Sequence, residues 1–261
     1  SVYCPRWSTV LRAALQESET EERTGEMISY GNLICGLGWA ALTLLAIFLT
    51  QKYYIPMLAQ RAGREETAPN LPRIRGGRDY GRILEAAALI GIAVFSFFCG
   101  CFTRAVAVDP AAFAKILLAF MVLTVSAVTD ARLQIIPNPC PVVMLVGKLL
   151  IGICELIFLK AEPLALLINS FSALLIALIF LLIMAKLSGG GIGMGDVKLF
   201  SALGFLCGLA AFCITLLFSF VLCALFSIPA LIMKKKGLKD ALPLGPFILI
   251  AFGLSILFSM I

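Results

Sequence analysis

Asp196 stands in the stretch GGGIGMGDVKL, residues 189–199, between a glycine-rich approach and a long apolar run. Asp130 closes an earlier apolar run and is followed by ARLQIIPN. An ionisable residue at the mouth of a membrane helix is costly and rare, so each is a functional candidate. Two carboxylates that share a site do not both ionise readily. One keeps its proton, and the pair titrates in two coupled steps. The ionised member can take a proton from water as that water attacks a peptide carbonyl. The protonated member can hydrogen-bond the carbonyl and then protonate the leaving amine. The sequence leaves either aspartate as the proton holder.

The inventory of side chains narrows the chemistry. The 261 residues include no histidine. This excludes Ser-His-Asp triads, Cys-His dyads and HExxH zinc sites. The nine cysteines are scattered, with no CxxC pair. No zinc module, other metal or cofactor is expected. After Glu85 the carboxylates are Asp109, Asp130, Glu155, Glu162, Asp196 and Asp240. Asp109, Glu162 and Asp240 fall in predicted loops, and Glu155 lies near the outer end of its helix. Asp130 and Asp196 alone lie at helix ends on the same, inner face.

The flanks suit a peptide-cutting pair. Gly189, Gly190, Gly191, Gly193 and Gly195 leave backbone free to approach an extended peptide. Pro137-Asn138-Pro139 stops one helix and starts another, with Asn138 a good N-cap and Pro139 favoured at the first helical position. Arg132 and Lys198 read as snorkelling anchors of helix ends. Lys198 is two residues from Asp196, so on a helix the two would not face each other. A lone aspartate at a membrane surface is ordinarily a solvated charge, and a glycine-rich stretch alone a linker. The combination carries the reading.

Such a pair needs a frame. The chain is 61% hydrophobic and only 14% charged, which places it in the membrane class. Its positive charge belongs to topology rather than to nucleic acid, for which no binding motif is present. No cleavable signal peptide is expected, because the charged stretch before Leu33 has the wrong order for one. The apolar runs predict spans near residues 33–50, 83–102, 111–129, 141–158 and 164–187, two helices within 196–233 and a last one at 246–261. The run from 196 to 233 is too long for one span, and Gly204 and Gly208 are the candidate breaks. The fold class is therefore all-α, a polytopic membrane protein of about eight transmembrane helices. Three units follow: a polar N-terminal segment (1–32), two helices with a basic loop at 51–82 (33–110), and a six-helix core (111–261).

Lys52, Arg61, Arg64, Arg73, Arg75, Arg78 and Arg82 mark the loop at 51–82 as cytoplasmic. Its prolines and glycines argue for little regular structure there. With that loop inside, Asp130, the approach to Asp196 and the run Lys234, Lys235, Lys236 and Lys239 all fall inside as well, and both termini fall outside.

Together these segments resemble the type IV prepilin peptidases, the integral-membrane aspartyl proteases of the GxGD kind. Residues 130–138, DARLQIIPN, are similar to the family's aspartate followed by a Pro-Asn or Pro-Asp pair. Residues 193–199, GMGDVKL, match GxGDxKL. Residues 242–247, LPLGPF, are similar to the family's proline-glycine-proline entry into the last helix. The resemblance covers about 111–261. It implies a membrane aspartyl endopeptidase of the cytoplasmic (inner) membrane, its active site facing the cytoplasm. Such an enzyme removes the short basic leader from type IV prepilins or pseudopilins, next to a glycine. Asp130 and Asp196 match the catalytic pair, with Gly193, Gly195, Lys198, Pro137 and Asn138 as motif support. The expected partners are the prepilin substrate and the lipid bilayer. Many members also N-methylate the new N-terminus and carry paired CxxC motifs; this chain lacks the motifs, which does not by itself exclude methylation, so a bifunctional peptidase stands as an alternative. Two other classes compete: an ion-coupled transporter, which calls for carboxylates near the bilayer midplane and inverted repeats, and a non-catalytic pilus-assembly scaffold, which would bind prepilin without cutting it.

Overall fold

The computed structural model describes residues 30–61, 78–106, 109–158, 163–188, 192–232 and 243–258. Residues 1–29 of the polar N-terminal segment, residues 62–77 of the basic loop, Gly189 to Gly191 and the Lys234 run lie outside the described residues. Among those described there are eight helices and no strand: α1 (Tyr30–Leu58), α2 (Arg78–Val106), α3 (Pro110–Leu133), α4 (Pro139–Phe158), α5 (Pro163–Leu187), α6 (Met194–Cys207), α7 (Leu209–Ile232) and α8 (Gly245–Leu257). Five of them (α1, α3, α4, α5 and α7) contain segments long and apolar enough to cross a membrane. The α2 segment Leu89–Thr103 and α8 are shorter apolar helices. At 14 residues, α6 is about 21 Å long. That is well short of the roughly 30 Å of bilayer hydrocarbon.

The structure extends one predicted span and chooses between two candidate breaks in another, each for a local reason. First, α1 runs past Thr50, so the start of the expected loop is helical. Its turns widen to a π-helix over Thr50–Tyr54, where the Ile55 N–H reaches back five residues to the Thr50 carbonyl. Pro56 follows, and a proline has no N–H to bond the carbonyl four residues back and crowds it, which favours such widening. Second, the break after Asp196 comes at Gly208 and not at Gly204. Gly208 has φ +96°, a conformation side-chain-bearing residues rarely adopt. Gly204 stays helical, and its bare backbone lets α5 approach. A Cβ there would lie 3.3 Å from the Ala173 carbonyl oxygen.

α6 is the interior helix. Val197, Leu199, Phe200, Ala202, Leu203 and Leu206 are all at most 1% exposed. It packs chiefly on α5, and also on α4, α7 and α3. α3 packs on α4 and α8, and α8 on α7 and α2. Small residues permit these approaches, as in other membrane bundles. Leu118 of α3 sits over Gly147 of α4, and Phe95 of α2 over Gly253 of α8. α1 is fastened by Trp39, edge-on to Phe113 and Phe120 of α3 at 5.7 and 5.5 Å between ring centroids. At its other end Ile55 packs on Leu133. The elements that carry the candidate residues therefore pack directly on one another.

Candidate active site

Asp130 lies in the last turn of α3. Its own carbonyl accepts the N–H of Gln134, which caps the helix in the left-handed conformation, φ 53°. The Asp130 carboxylate points inward and is 7% exposed. The N–H of Gly245, the first residue of α8, donates to Asp130 Oδ2 at 2.7 Å. The backbone of Leu244 also bonds this carboxylate. No side chain fits at position 245. A Cβ there would lie 2.9 Å from Asp130 Cβ and 3.2 Å from Ala127 Cα.

Asp196 is the third residue of α6, in its first turn. Oδ1 is buried and has no hydrogen-bond partner. Burial and the charge of Asp130 push its carboxyl from the ordinary 3.8 up to about 6, against a backbone hydrogen bond from Gly193 that pulls the other way. The two aspartates are thus close enough to act on each other's ionisation. Two coupled carboxyls, one of them held at about 6, can keep one proton between them below about that pH.

The motif residues around the pair take separate places. Gly195 lies against the loop that follows Asp130, where a Cβ would come within 2.9 Å of Ile136 Cβ. Gly193 precedes α6, and a Cβ on it would lie 3.1 Å from Asp196 Oδ2. Lys198 turns away from Asp196, and its Nζ donates to Asn138 Oδ1 at 3.3 Å. That bond ties the first turn of α6 to the loop before α4. Pro137 contributes through its backbone, its carbonyl accepting the Cys140 N–H at 3.1 Å. Pro139 opens α4, as its fixed φ favours. The sequence reading missed Leu244 and Gly245 as functional positions and took LPLGPF only as the entry to the last helix. The signal was there: a glycine between prolines marks a backbone that something must approach closely. Among the described residues, no group of three or more Cys, Asp or Glu is placed to hold a metal ion.

Comparison with known proteins agrees with the resemblance carried by the two aspartate motifs. One curated relative is named "Prepilin leader peptidase/N-methyltransferase", from Bacillus subtilis (strain 168). It is 32% identical over 130 residues, 48% of this chain and 48% of that protein, so the chain spans about half the length of the relative it matches. No solved structure matches. Residues 117–228, which include both Asp130 and Asp196, match the family model described as the type IV leader peptidase family.

Proposed function

We propose that this chain is a membrane aspartyl endopeptidase that removes the short basic leader from type IV prepilins or pseudopilins at the cytoplasmic face. The observation that carries this reading is the meeting of Asp130 and Asp196 at one end of the bundle, within the segment that matches the leader peptidase family. A carrier would use carboxylates near mid-span. Here one lies in the last turn of α3 and the other in the first turn of α6.

The geometry favours a division of labour. The Gly245 N–H favours the ionised form of Asp130 through a charge-assisted hydrogen bond. The shared proton rests on Asp196, whose carboxyl holds it up to about pH 6. A water between them gives a proton to Asp130 while its oxygen attacks the carbonyl carbon of the scissile peptide. Asp196 hydrogen-bonds the carbonyl oxygen and stabilises its developing negative charge. Collapse of the tetrahedral intermediate breaks the C–N bond, and a carboxyl proton passes to the leaving amine. One proton remains on the pair, which returns to its starting state.

The basic residues that follow α1 support a cytoplasmic orientation. The end of α1 packs beside Leu133 and Ile135, next to the Asp130 turn. A pair bearing one negative charge also complements a basic leader. Purified protein in detergent, given a prepilin, should release a leader-sized fragment. A prepilin whose glycine before the cut is replaced should resist. A folded protein that cuts none of several prepilins at any pH would contradict this reading and favour the carrier or scaffold.

A further inference from the structure

Residues 134–138 join α3 to α4. They leave the Asp130 turn through the Gln134 N–H, which bonds the Asp130 carbonyl at 2.9 Å. Two of them then meet the start of α6, the helix that carries Asp196. Ile136 lies against Gly195, where a Cβ would come within 2.9 Å of Ile136 Cβ and 3.7 Å of its carbonyl oxygen. Asn138 Oδ1 accepts from Lys198 Nζ at 3.3 Å, across sixty residues of chain. The segment that follows one aspartate therefore touches the helix turn that bears the other, at two points.

Gly195 and Lys198 stand at i and i+3, so they share a face of α6. Asp196 lies about 100° round the helix from Gly195. Two contacts on one face fix both the rotation of the helix and its height, and the rotation aims the Asp196 carboxyl. The start of α6 lacks the usual restraint, because its N-cap is Gly193, which has no side chain to bond the first amides. Lys198 and Asn138 are both exposed, and an exposed bond of this kind adds little to stability. Its effect lies in alignment, since a misplacement of about 1 Å at a reacting group can slow a reaction about a hundredfold.

We propose that Lys198 and Asn138 are positioning residues: their hydrogen bond, beside the Gly195–Ile136 contact, ties the segment after Asp130 to the start of α6 and so holds Asp196 opposite Asp130. The proposal rests on the dyad reading above and deepens it. Neither residue touches the reacting atoms. Gly195 brings the helix close to the loop, and Lys198 fastens it there. Release of the bond leaves a single apolar contact, about which the first turn of α6 can rotate.

The test uses the full chain in detergent, with Lys198→Met, Asn138→Ala and the two combined. Lys186→Met, exposed in the last turn of α5, is the control. Initial rates of leader cleavage are measured. On the same samples the carboxyl C=O infrared band of Asp196, assigned by its loss in Asp196→Asn, is followed against pH. Each single variant should lower kcat about threefold to thirtyfold with KM changed less than about twofold. The double variant should be no slower than the slower single variant, because the two residues act through one bond. The Asp196 midpoint should fall in both single variants, as the carboxyl moves away from Asp130 and toward water. For Lys198 the sign discriminates, since loss of a nearby cation by itself would raise a carboxyl midpoint. Lys198→Arg, which keeps a donor and the charge, should restore rate and midpoint, and the control should change neither. Losses that multiply in the double variant, a raised KM with kcat unchanged in Lys198→Met, or an unmoved or raised midpoint in that folded variant each overturn the proposal. If Lys198→Met does not fold, Asn138→Ala decides in its place, an unmoved midpoint again overturning it. If the wild type cuts no prepilin, the peptidase reading falls, and the infrared titration still decides whether the bond positions Asp196.

Discussion

The N–H of Gly245 donates to Asp130 Oδ2 at 2.7 Å across 115 residues of chain. The bond joins the end of α3 to the start of α8 where no side chain fits between them. Gly245→Ala should therefore be disruptive out of proportion to one methyl group. Its Cβ would overlap Asp130 Cβ and Ala127 Cα, at 2.9 and 3.2 Å. Overpacking of this kind costs about 1–3 kcal/mol. Leader cleavage should fall at least about tenfold, because the displaced carboxylate is the proposed base. Thermal unfolding and cleavage rates check this, and a fully active Gly245→Ala would contradict the anchoring role.

Asp196 gives a stability prediction with a definite sign. Its carboxyl titrates near 6 in the folded chain and near 3.8 when unperturbed. Between these values the folded state binds more protons than the unfolded state, so stability falls as pH rises through that window. The favourable contribution is fully present below about pH 4 and is lost above about pH 6. Asp196→Asn removes the loss. It should be more stable than the wild type at pH 7, by up to about 3 kcal/mol, and the advantage should vanish near pH 4. Melting temperatures across pH 4–7 measure it, and an equal advantage at both ends would show that the ionisation is not responsible.

The same coupling predicts the rate profile. If one proton must stay on the pair, kcat/KM should decline on the alkaline side with an apparent pKa near 6. In Asp130→Asn the like charge is gone, so the Asp196 carboxyl should titrate lower, followed by its infrared band. A band that stays near 6 in that variant would leave burial alone as the cause.

Gly195 and Ile136 offer a paired test. A Cβ on Gly195 would lie 2.9 Å from Ile136 Cβ. Gly195→Ala should lower cleavage, and adding Ile136→Ala should recover part of the loss by opening the space. A double-mutant cycle should show a favourable coupling of about 0.5–3 kcal/mol. Strict additivity would mean the two residues do not press on each other.

Much of this site was legible because its residues announce themselves. Two aspartates at the ends of apolar runs, a glycine-rich approach and Pro137-Asn138-Pro139 are local signals, and in the structure the charge of Asp130 reaches Asp196. The predicted spans likewise meet eight helices among the described residues. What escaped was set by tertiary contact. Gly245 gains its role from a carboxylate on another helix. Lys198 reads as a lipid anchor in the sequence, but its Nζ donates to Asn138 Oδ1, sixty residues away. Lys115 and Glu155 sit singly among apolar residues, and no spacing rule within one helix foretells their pairing across α3 and α4. Both Gly204 and Gly208 were candidate breaks, and only packing decides between them, since Gly204 is pinned against α5.

The central claim is that Asp130 and Asp196 act as one catalytic pair. The most direct measurement is leader cleavage of a prepilin by the purified wild type against Asp130→Asn and Asp196→Asn, each shown to be folded by its melting transition. The account predicts a leader-sized shift with the wild type and a rate at least about a thousandfold lower in each single variant, with no further loss in the double variant. Substantial cleavage by either folded single variant would contradict it.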